Sequence, residues 1–154
     1  MATHPASYGQ DDMAASRTTI GARLSGAAPV MRAVLRIGAG LLFMQHGAQK
    51  LLGMFGGVDG QGATVELMTQ YGLAGVLELG GGFLIVIGLF TRPVAMILVI
   101  EMIAAYVLAH IPQGAVPIQN GGELALLYAL VWAYLAAAGP GAVAVDSALT
   151  RSRS

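Results

Sequence analysis

The chain has 154 residues, enough for one domain, with no net charge and no cysteine. Charged residues make up only 10% of it, against about 25% in a typical soluble domain, while hydrophobic residues make up 56%. So little polar surface cannot coat a soluble globule, and we therefore predict an integral membrane protein. The missing cysteines exclude disulfides, thiol redox chemistry and iron–sulfur ligands from this chain, and the zero net charge gives no indication of nucleic acid binding.

Residues 1–28 are polar and mixed, and they precede the first apolar segment. They contain Asp11, Asp12, Arg17 and Arg23 among many small residues, a composition typical of a flexible or partner-docking extension. The apolar segment that follows carries Arg36 and lacks a small-residue cleavage site, so we do not expect a removed signal peptide.

Four apolar segments follow, each close to the roughly 20 residues that cross a bilayer as a helix. They cover about residues 29–52, 71–90, 93–111 and 122–138. Pro29 suits a helix start, and Pro112 marks the predicted end of the third helix. We therefore predict an all-α fold, a bundle of four transmembrane helices over residues 29–146, with a short tail at 147–154.

The connections between the segments constrain the arrangement of the helices. Only Thr91 and Arg92 separate the second and third segments, so those two helices are predicted to form an antiparallel hairpin. The longest connection, residues 53–70, is rich in glycine, and we predict a short interfacial helix within it at residues 64–69.

The basic residues predict the orientation in the membrane, because Lys and Arg concentrate in cytoplasmic loops. If four helices alternate in direction, seven of the eight basic residues lie on one side and only Lys50 lies on the other. We therefore expect both termini in the cytoplasm and the loops at 53–70 and 112–121 outside. The seven residues are Arg17, Arg23, Arg32, Arg36, Arg92, Arg151 and Arg153. We expect Arg32, Arg36 and Arg92 to anchor the chain at the cytoplasmic interface.

Ionisable side chains inside the apolar segments are the candidate functional residues, because a charge in lipid costs roughly 2.5–3.5 kcal/mol even on insertion scales. Glu78 and Glu101 lie deepest. His46 and Lys50 are four residues apart and share a helix face. At a rise of 1.5 Å per residue, His46, Lys50, Glu78 and Glu123 lie at similar depths near the outer surface, on three different helices. We expect them to meet in the bundle core.

We predict that Lys50 pairs with Glu78 or Glu123, and that His46, a residue type that titrates near neutrality, exchanges protons. His46, Lys50 and Glu78 are thus candidate catalytic residues, while candidate cofactor contacts are Gln49, Glu101 and Glu123. The sequence contains no metal-binding motif. There are alternatives in which these residues form no site. In one the Lys50 side chain extends to the lipid headgroups, and in the other Glu123 is simply exposed to water.

One further ionisable residue, His110, lies at the outer end of the third segment. His110 is nine residues from Glu101, and this spacing places the two on opposite sides of a regular α-helix. We therefore do not expect both to face one centre.

Several motifs occur in a recognisable order along the chain. They are RIGAGLLFMQHGAQKLLG at 36–53, Glu78 with Gly81 and Gly82, GLFTRP at 88–93, NGGE at 120–123, and GPG at 139–141 followed by Asp146. In this pattern the sequence resembles the DoxX family of small four-helix membrane proteins over about residues 32–146. The resemblance implies a quinone-linked role, since some members belong to a thiosulfate:quinone oxidoreductase and others associate with redox enzymes in membrane complexes.

The function predicted from this resemblance is a quinone-interacting subunit of a membrane oxidoreductase in the bacterial cytoplasmic (inner) membrane. Its cofactor would be a quinone, and its partners the lipid bilayer, other membrane or peripheral redox subunits, or a second copy of itself. One alternative is a non-catalytic accessory subunit, in which the polar cluster is an ion-pair network that fixes helix register. A small-solute or proton transporter is the other alternative, and the lack of an evident inverted repeat makes it less attractive.

Overall fold

The computed structural model of the chain describes residues 8–151, with side chains described from residue 25 to residue 150. Within residues 8–151 the chain is helical and contains no β-strand, which confirms the predicted all-α class. The first seven residues of the predicted extension and the last three of the predicted tail lie outside the described residues.

The first helix, α1, runs over Tyr8–Leu52 and contains Pro29 in its interior. The predicted helix start at Pro29 is therefore wrong. An interior proline loses one hydrogen bond and crowds the carbonyl four residues before it, but helix-forming residues such as Ala27, Ala28 and Met31 continue the helix on both sides. The part of α1 that is long and apolar enough to cross a membrane is Ser25–Leu52.

The connection after α1 folds back over the end of that helix. Gly53 adopts a left-handed conformation (φ 65°), and a 3₁₀ turn follows over Met54–Gly56. The backbone N–H of Val65 then donates to the carbonyl of Lys50 at 2.9 Å. The helix predicted at residues 64–69 is not formed, because this segment bonds to α1 and because Thr69 caps the next helix by accepting from the Gly72 N–H at 3.1 Å.

Two long helices, α2 (Gln70–Ile87) and α3 (Thr91–Gln113), are each long and apolar enough to cross a membrane. A turn of three residues joins them, in which Gly88 has a φ of 70° and Phe90 a φ of 51°. Each helix contains one π-helical turn, at Leu77–Gly81 in α2 and at Tyr106–His110 in α3.

Three shorter helices complete the chain: α4 (Pro117–Asn120), α5 (Glu123–Ala138) and α6 (Val145–Arg151). Helix α5 is apolar but, with 16 residues, shorter than the three candidate membrane helices among the described residues. It packs along α3, while α1 packs along α2. At the α1–α2 contact a Cβ atom on Gly47 would lie 2.7 Å from the carbonyl oxygen of Gly75, so only glycine permits that approach.

The core lies where α1, α3 and α5 meet, and Phe43, Leu98 and Trp132 are fully buried there. The loops at residues 53–69 and 114–122 lie together at one end of the bundle, called here the loop end. At the other end, called the arginine end, Arg32, Arg36 and Arg92 meet the α2–α3 turn and the C-terminal segment.

Arg36 is the structural centre of the arginine end. Its side chain is fully buried, so the expectation that it is only an interfacial anchor is wrong. The guanidinium donates to the carbonyls of Ile85 and Val86 at 2.7 Å each, to Pro140 at 2.9 Å and to Val143 at 2.8 Å. A planar group with five N–H donors can satisfy several carbonyls at once, and Arg36 thereby joins α1, the end of α2 and the segment after α5.

The other charged residues at this end also satisfy free backbone groups. Arg32 donates to Ala138, and Arg92 donates to Ala136 and Ala137, all at the C-terminal end of α5. Asp146 accepts from the backbone N–H groups of Phe90 at 2.8 Å and Thr91 at 2.9 Å, and so caps the start of α3. Helix ends leave such groups without intrahelical partners, so the motifs around residues 88–93 and 139–146 have a structural reason to occur together.

Candidate functional site

A cavity of about 600 Å³ lies in the loop half of the bundle. Side chains from α1, α2, α3 and α5 form its walls, and its volume is within the range of small-molecule sites. Four of the six predicted site residues line it, namely His46, Lys50, Glu78 and Glu101. Most of the other lining residues are apolar, so the polar groups stand out against an apolar wall.

Lys50 and Glu78 form an ion pair across the α1–α2 contact. The ammonium group donates to Glu78 Oε1, so the partner is Glu78 and not Glu123, the other predicted candidate. Glu78 is only 4% exposed, and its second oxygen, Oε2, has no hydrogen-bond partner among the described residues. Because Gly47 and Gly75 bring the two helices close together, the pair can form near the wall of the cavity.

Glu101 presents a second carboxyl group to the same cavity from α3. It is 8% exposed, and neither of its oxygens has a hydrogen-bond partner among the described residues. Buried polar groups are almost always hydrogen-bonded, and an isolated carboxylate in apolar surroundings is costly. Glu101 therefore needs a proton, a water molecule or a ligand that donates a hydrogen bond.

His110 lines the cavity together with Glu101, so the expectation that the two residues face away from each other is wrong. The π turn at Tyr106–His110 closes i→i+5 hydrogen bonds and turns less per residue than an α-helix, which moves His110 toward the face that Glu101 occupies. The ring of His110 stacks on Tyr106 with centroids 6.2 Å apart, and its Nδ1 lies 2.9 Å from the carbonyl oxygen of Asn120.

An aromatic wall, which sequence reasoning missed, closes the cavity on the core side. Tyr128 of α5 lines the cavity, with its ring edge-to-face with His46 at 6.1 Å and against Phe43 at 4.9 Å. Trp132 stacks on Tyr128 at 5.6 Å. The four-residue spacing of Tyr128 and Trp132 is the signal that would have placed both on one face of α5.

Two predicted cofactor contacts, Gln49 and Glu123, lie outside the cavity. Gln49 is one position from Lys50 around α1, and its amide instead donates to the carbonyl of Gly57 at 3.0 Å, holding the loop. Glu123 is exposed in the first turn of α5, where a carboxylate favourably meets the helix dipole. The loop at residues 53–69, to which Gln49 bonds, also contains the exposed Asp59. Hydrogen bonds from the backbone N–H groups of Ala63 and Gln61 lower the pKa of the Asp59 carboxyl group.

Comparisons with known proteins identify the family of the chain. A family model described as DoxX matches residues 31–111. An "uncharacterized protein" of Haemophilus influenzae is 42% identical over 123 residues, which cover 77% of this chain and 90% of that protein. The inner membrane protein YphA of Escherichia coli is 32% identical over 87 residues, 54% of this chain and 61% of that protein. No solved structure matches the chain.

The family match covers more than half of the chain, and three described helices are long and apolar enough to span a bilayer. The chain therefore belongs to the DoxX family and is an integral membrane protein.

Proposed function

We propose that this protein is a quinone-binding subunit of an oxidoreductase in the bacterial inner membrane. The observation that carries the proposal is the pair of buried carboxyl groups, Glu78 and Glu101, in one largely apolar cavity, with Glu101 lacking any hydrogen-bond partner among the described residues. The resemblance to quinone-linked DoxX members supports the same class of ligand, and the name of the Escherichia coli relative supports the location.

In the proposed arrangement the chain crosses the membrane four times, with both termini in the cytoplasm and the loop end outside. The clustering of Arg32, Arg36 and Arg92 at the arginine end supports this orientation. Helix α5 measures about 24 Å at 1.5 Å per residue, less than the roughly 30 Å hydrocarbon core. Short helices can be accommodated by local thinning of the bilayer.

The residues of the cavity fit a quinone headgroup chemically. Quinone oxygens accept hydrogen bonds, and the Lys50 ammonium group and, when it is protonated, the Glu101 carboxyl group are donors that line the cavity. The flat ring of Tyr128 offers a surface on which a planar ligand can stack. Glu78 keeps the charge of Lys50 compensated, so a neutral ligand does not have to neutralise it.

Reduction of a bound quinone to a quinol takes up two electrons and two protons. In the proposed function a partner redox subunit supplies the electrons. This chain supplies proton-exchanging groups, of which His46, Glu101 and His110 all line the cavity. Positioned acid–base groups of this kind commonly contribute to such proton transfers.

A fluorescence titration of the purified protein tests quinone binding. The chain has one tryptophan, and Trp132 stacks on the cavity residue Tyr128, so a bound quinone is expected to quench its emission saturably. A Glu101→Leu variant should bind the quinone at least tenfold more weakly than the unsubstituted protein does. The control is Gln45→Ala, since Gln45 lies next to His46 but does not line the cavity, and this variant should bind the quinone as the unsubstituted protein does. Quenching that never saturates would contradict the proposal.

A structural role in a larger complex is the second candidate, and the Lys50–Glu78 ion pair favours it, because buried ion pairs can specify helix register. A conservative Glu78→Gln substitution distinguishes the two candidates. If a partner protein that co-purifies with the unsubstituted chain no longer does so in a fixed ratio, the ion pair is needed for assembly and the structural role is supported. If the activity is lost while the complex remains intact, the quinone-binding role is supported.

A further inference from the structure

Helices α2 and α3 are close together at one end and separated at the other. At the arginine end a turn of only three residues joins them, and their contacts include residues 77–87 of α2. There a Cβ atom on Gly81 would lie 2.9 Å from Leu98 Cδ2, so the contact is tight. In the loop half the cavity lies between the two helices instead, since Leu73 of α2 and Leu108 of α3 both line it.

The two leucines on this side of the cavity are exposed to the surroundings of the bundle. Leu73 is 60% exposed and Leu108 is 61% exposed, although both also line the cavity. Ala104, one turn from Leu108 on α3, is likewise exposed and lines the cavity. In a protein that crosses the membrane, exposed leucines on the side of a helix face lipid. The cavity wall formed by Leu73, Leu77, Ala104 and Leu108, of which all but Leu77 are exposed, is called here the lateral gap.

Polarity falls across the cavity from its interior to this gap. Glu78 and Glu101 belong to the buried interior wall, whereas all four residues of the lateral gap are apolar. A ligand that matches both regions has a polar headgroup for the interior and an apolar chain for the gap. A small water-soluble quinone would use only the first region.

We infer that the lateral gap between α2 and α3 admits the ligand from the bilayer and holds its hydrocarbon tail, so that the substrate class is lipid-soluble quinones with an alkyl or isoprenoid chain. The inference rests on the proposed function. The loop end offers a different route, past Gln70 and His110, which would serve a water-soluble ligand and would not require a tail.

Two variants, each with one alanine replaced by phenylalanine, test the lateral gap. Ala104→Phe fills the gap, and Ala133→Phe places the same ring on an exposed position of α5 that does not line the cavity. The probes are benzoquinones and naphthoquinones, each with a decyl tail and without one. Binding is followed by quenching of Trp132 at one detergent concentration, so that partition into micelles is the same for every variant.

Ala104→Phe should weaken binding of the tailed probes at least tenfold and leave the tail-less probes within twofold, while Ala133→Phe should change neither. Retained binding of the tail-less probes also shows that the variant is folded. Equal binding of the tailed probes to Ala104→Phe and the unsubstituted protein would overturn the inference, as would an equal loss for both kinds of probe. If none of the probes binds the unsubstituted protein, the proposed function itself fails.

Discussion

Glu78 and Glu101 present two buried carboxyl groups to one cavity from neighbouring helices, and within the described residues only Glu78 is paired with a cation. From the sequence, too, the two residues have different expected roles, with Glu78 as a candidate partner of Lys50 and Glu101 as a candidate cofactor contact. Glu78 compensates Lys50 and is part of the packing between α1 and α2. Glu101 makes no hydrogen bond within the described residues, so both of its oxygens are available to a ligand in the cavity.

Replacing Glu101 by leucine should therefore leave the fold intact. Removing a buried polar group that has no partner is nearly neutral or stabilising, so the free energy of unfolding should change by less than about 1 kcal/mol in either direction. Thermal unfolding in detergent measures this change. A loss of more than about 3 kcal/mol, of the size caused by a broken buried network, would show that Glu101 has a structural partner.

Replacing Lys50 by methionine should destabilise the protein, because the substitution leaves the carboxylate of Glu78 buried without its partner. Breaking a buried pair costs about 3–5 kcal/mol, and the partial exposure of Lys50 puts the expected loss at the lower end of that range. The double variant Lys50→Met, Glu78→Leu should recover most of the loss. Additive effects of the two substitutions in a double-mutant cycle would contradict a direct pair.

Arg36 should be among the most sensitive positions for stability. Arg36→Ala removes a buried guanidinium that bonds to four carbonyls, and we expect a loss of about 4 kcal/mol or more. Arg36→Lys should not restore it, because an ammonium group lacks the planar fork of donors. The exposed Arg92 supplies the matched control, and Arg92→Ala should cost far less. Similar melting temperatures for the two alanine variants would contradict the role given to Arg36.

Asp146 caps α3 from a distance of more than fifty residues in the chain. Asp146→Ala removes the acceptor of two backbone N–H groups, and losses of about 0.5–2 kcal/mol are typical for a helix cap. Asp146→Asn, which keeps one acceptor oxygen, should lose less. The comparison is a pair of thermal unfolding curves, and equal destabilisation by Ala and Asn would show that the negative charge, not the capping geometry, matters.

The proposed orientation can be measured directly because the natural chain has no cysteine. A single cysteine at exposed Asp59, at the loop end, should react with a membrane-impermeant maleimide applied to cells whose outer membrane has been permeabilised. A single cysteine at exposed Ala148 should react only after the inner membrane is lysed. The reverse pattern would invert the topology, and labelling of both positions before the inner membrane is lysed would place the two ends on the same side.

Much of the architecture could be predicted because hydropathy and helix length are local properties of the sequence. The candidate spans, the α2–α3 hairpin and the meeting of Lys50 with Glu78 all follow from counting residues along straight helices. The same counting wrongly places His110 on the opposite side of α3 from Glu101, because a π turn changes the rotation per residue. Nothing in the sequence YVLAH predicts a π turn.

Other features depended on contacts between parts of the chain that are far apart in sequence. From the sequence Arg36 is expected to be an interfacial anchor. Its actual role depends on hydrogen bonds to the carbonyls of residues 140 and 143, which are more than one hundred residues away in the chain. The segment at 64–69 is likewise expected to be helical, but the Val65 N–H bonds to the Lys50 carbonyl of α1, and residues 66–69 form a turn closed by a hydrogen bond from Thr69 N to Glu66 O. Gln49 has the right depth for the cavity, yet its rotation around α1 directs it to the loop.

Photoaffinity labelling would show whether a quinone occupies the cavity. A tailed quinone carrying an azide on its ring would be irradiated with the purified protein, and the modified residues mapped by mass spectrometry. We expect adducts on residues of the cavity interior, such as Met102 and Tyr128, that disappear when excess unlabelled quinone is added. Adducts spread over lipid-facing residues such as Leu127 and Leu130, and unaffected by the competitor, would contradict quinone binding in the cavity.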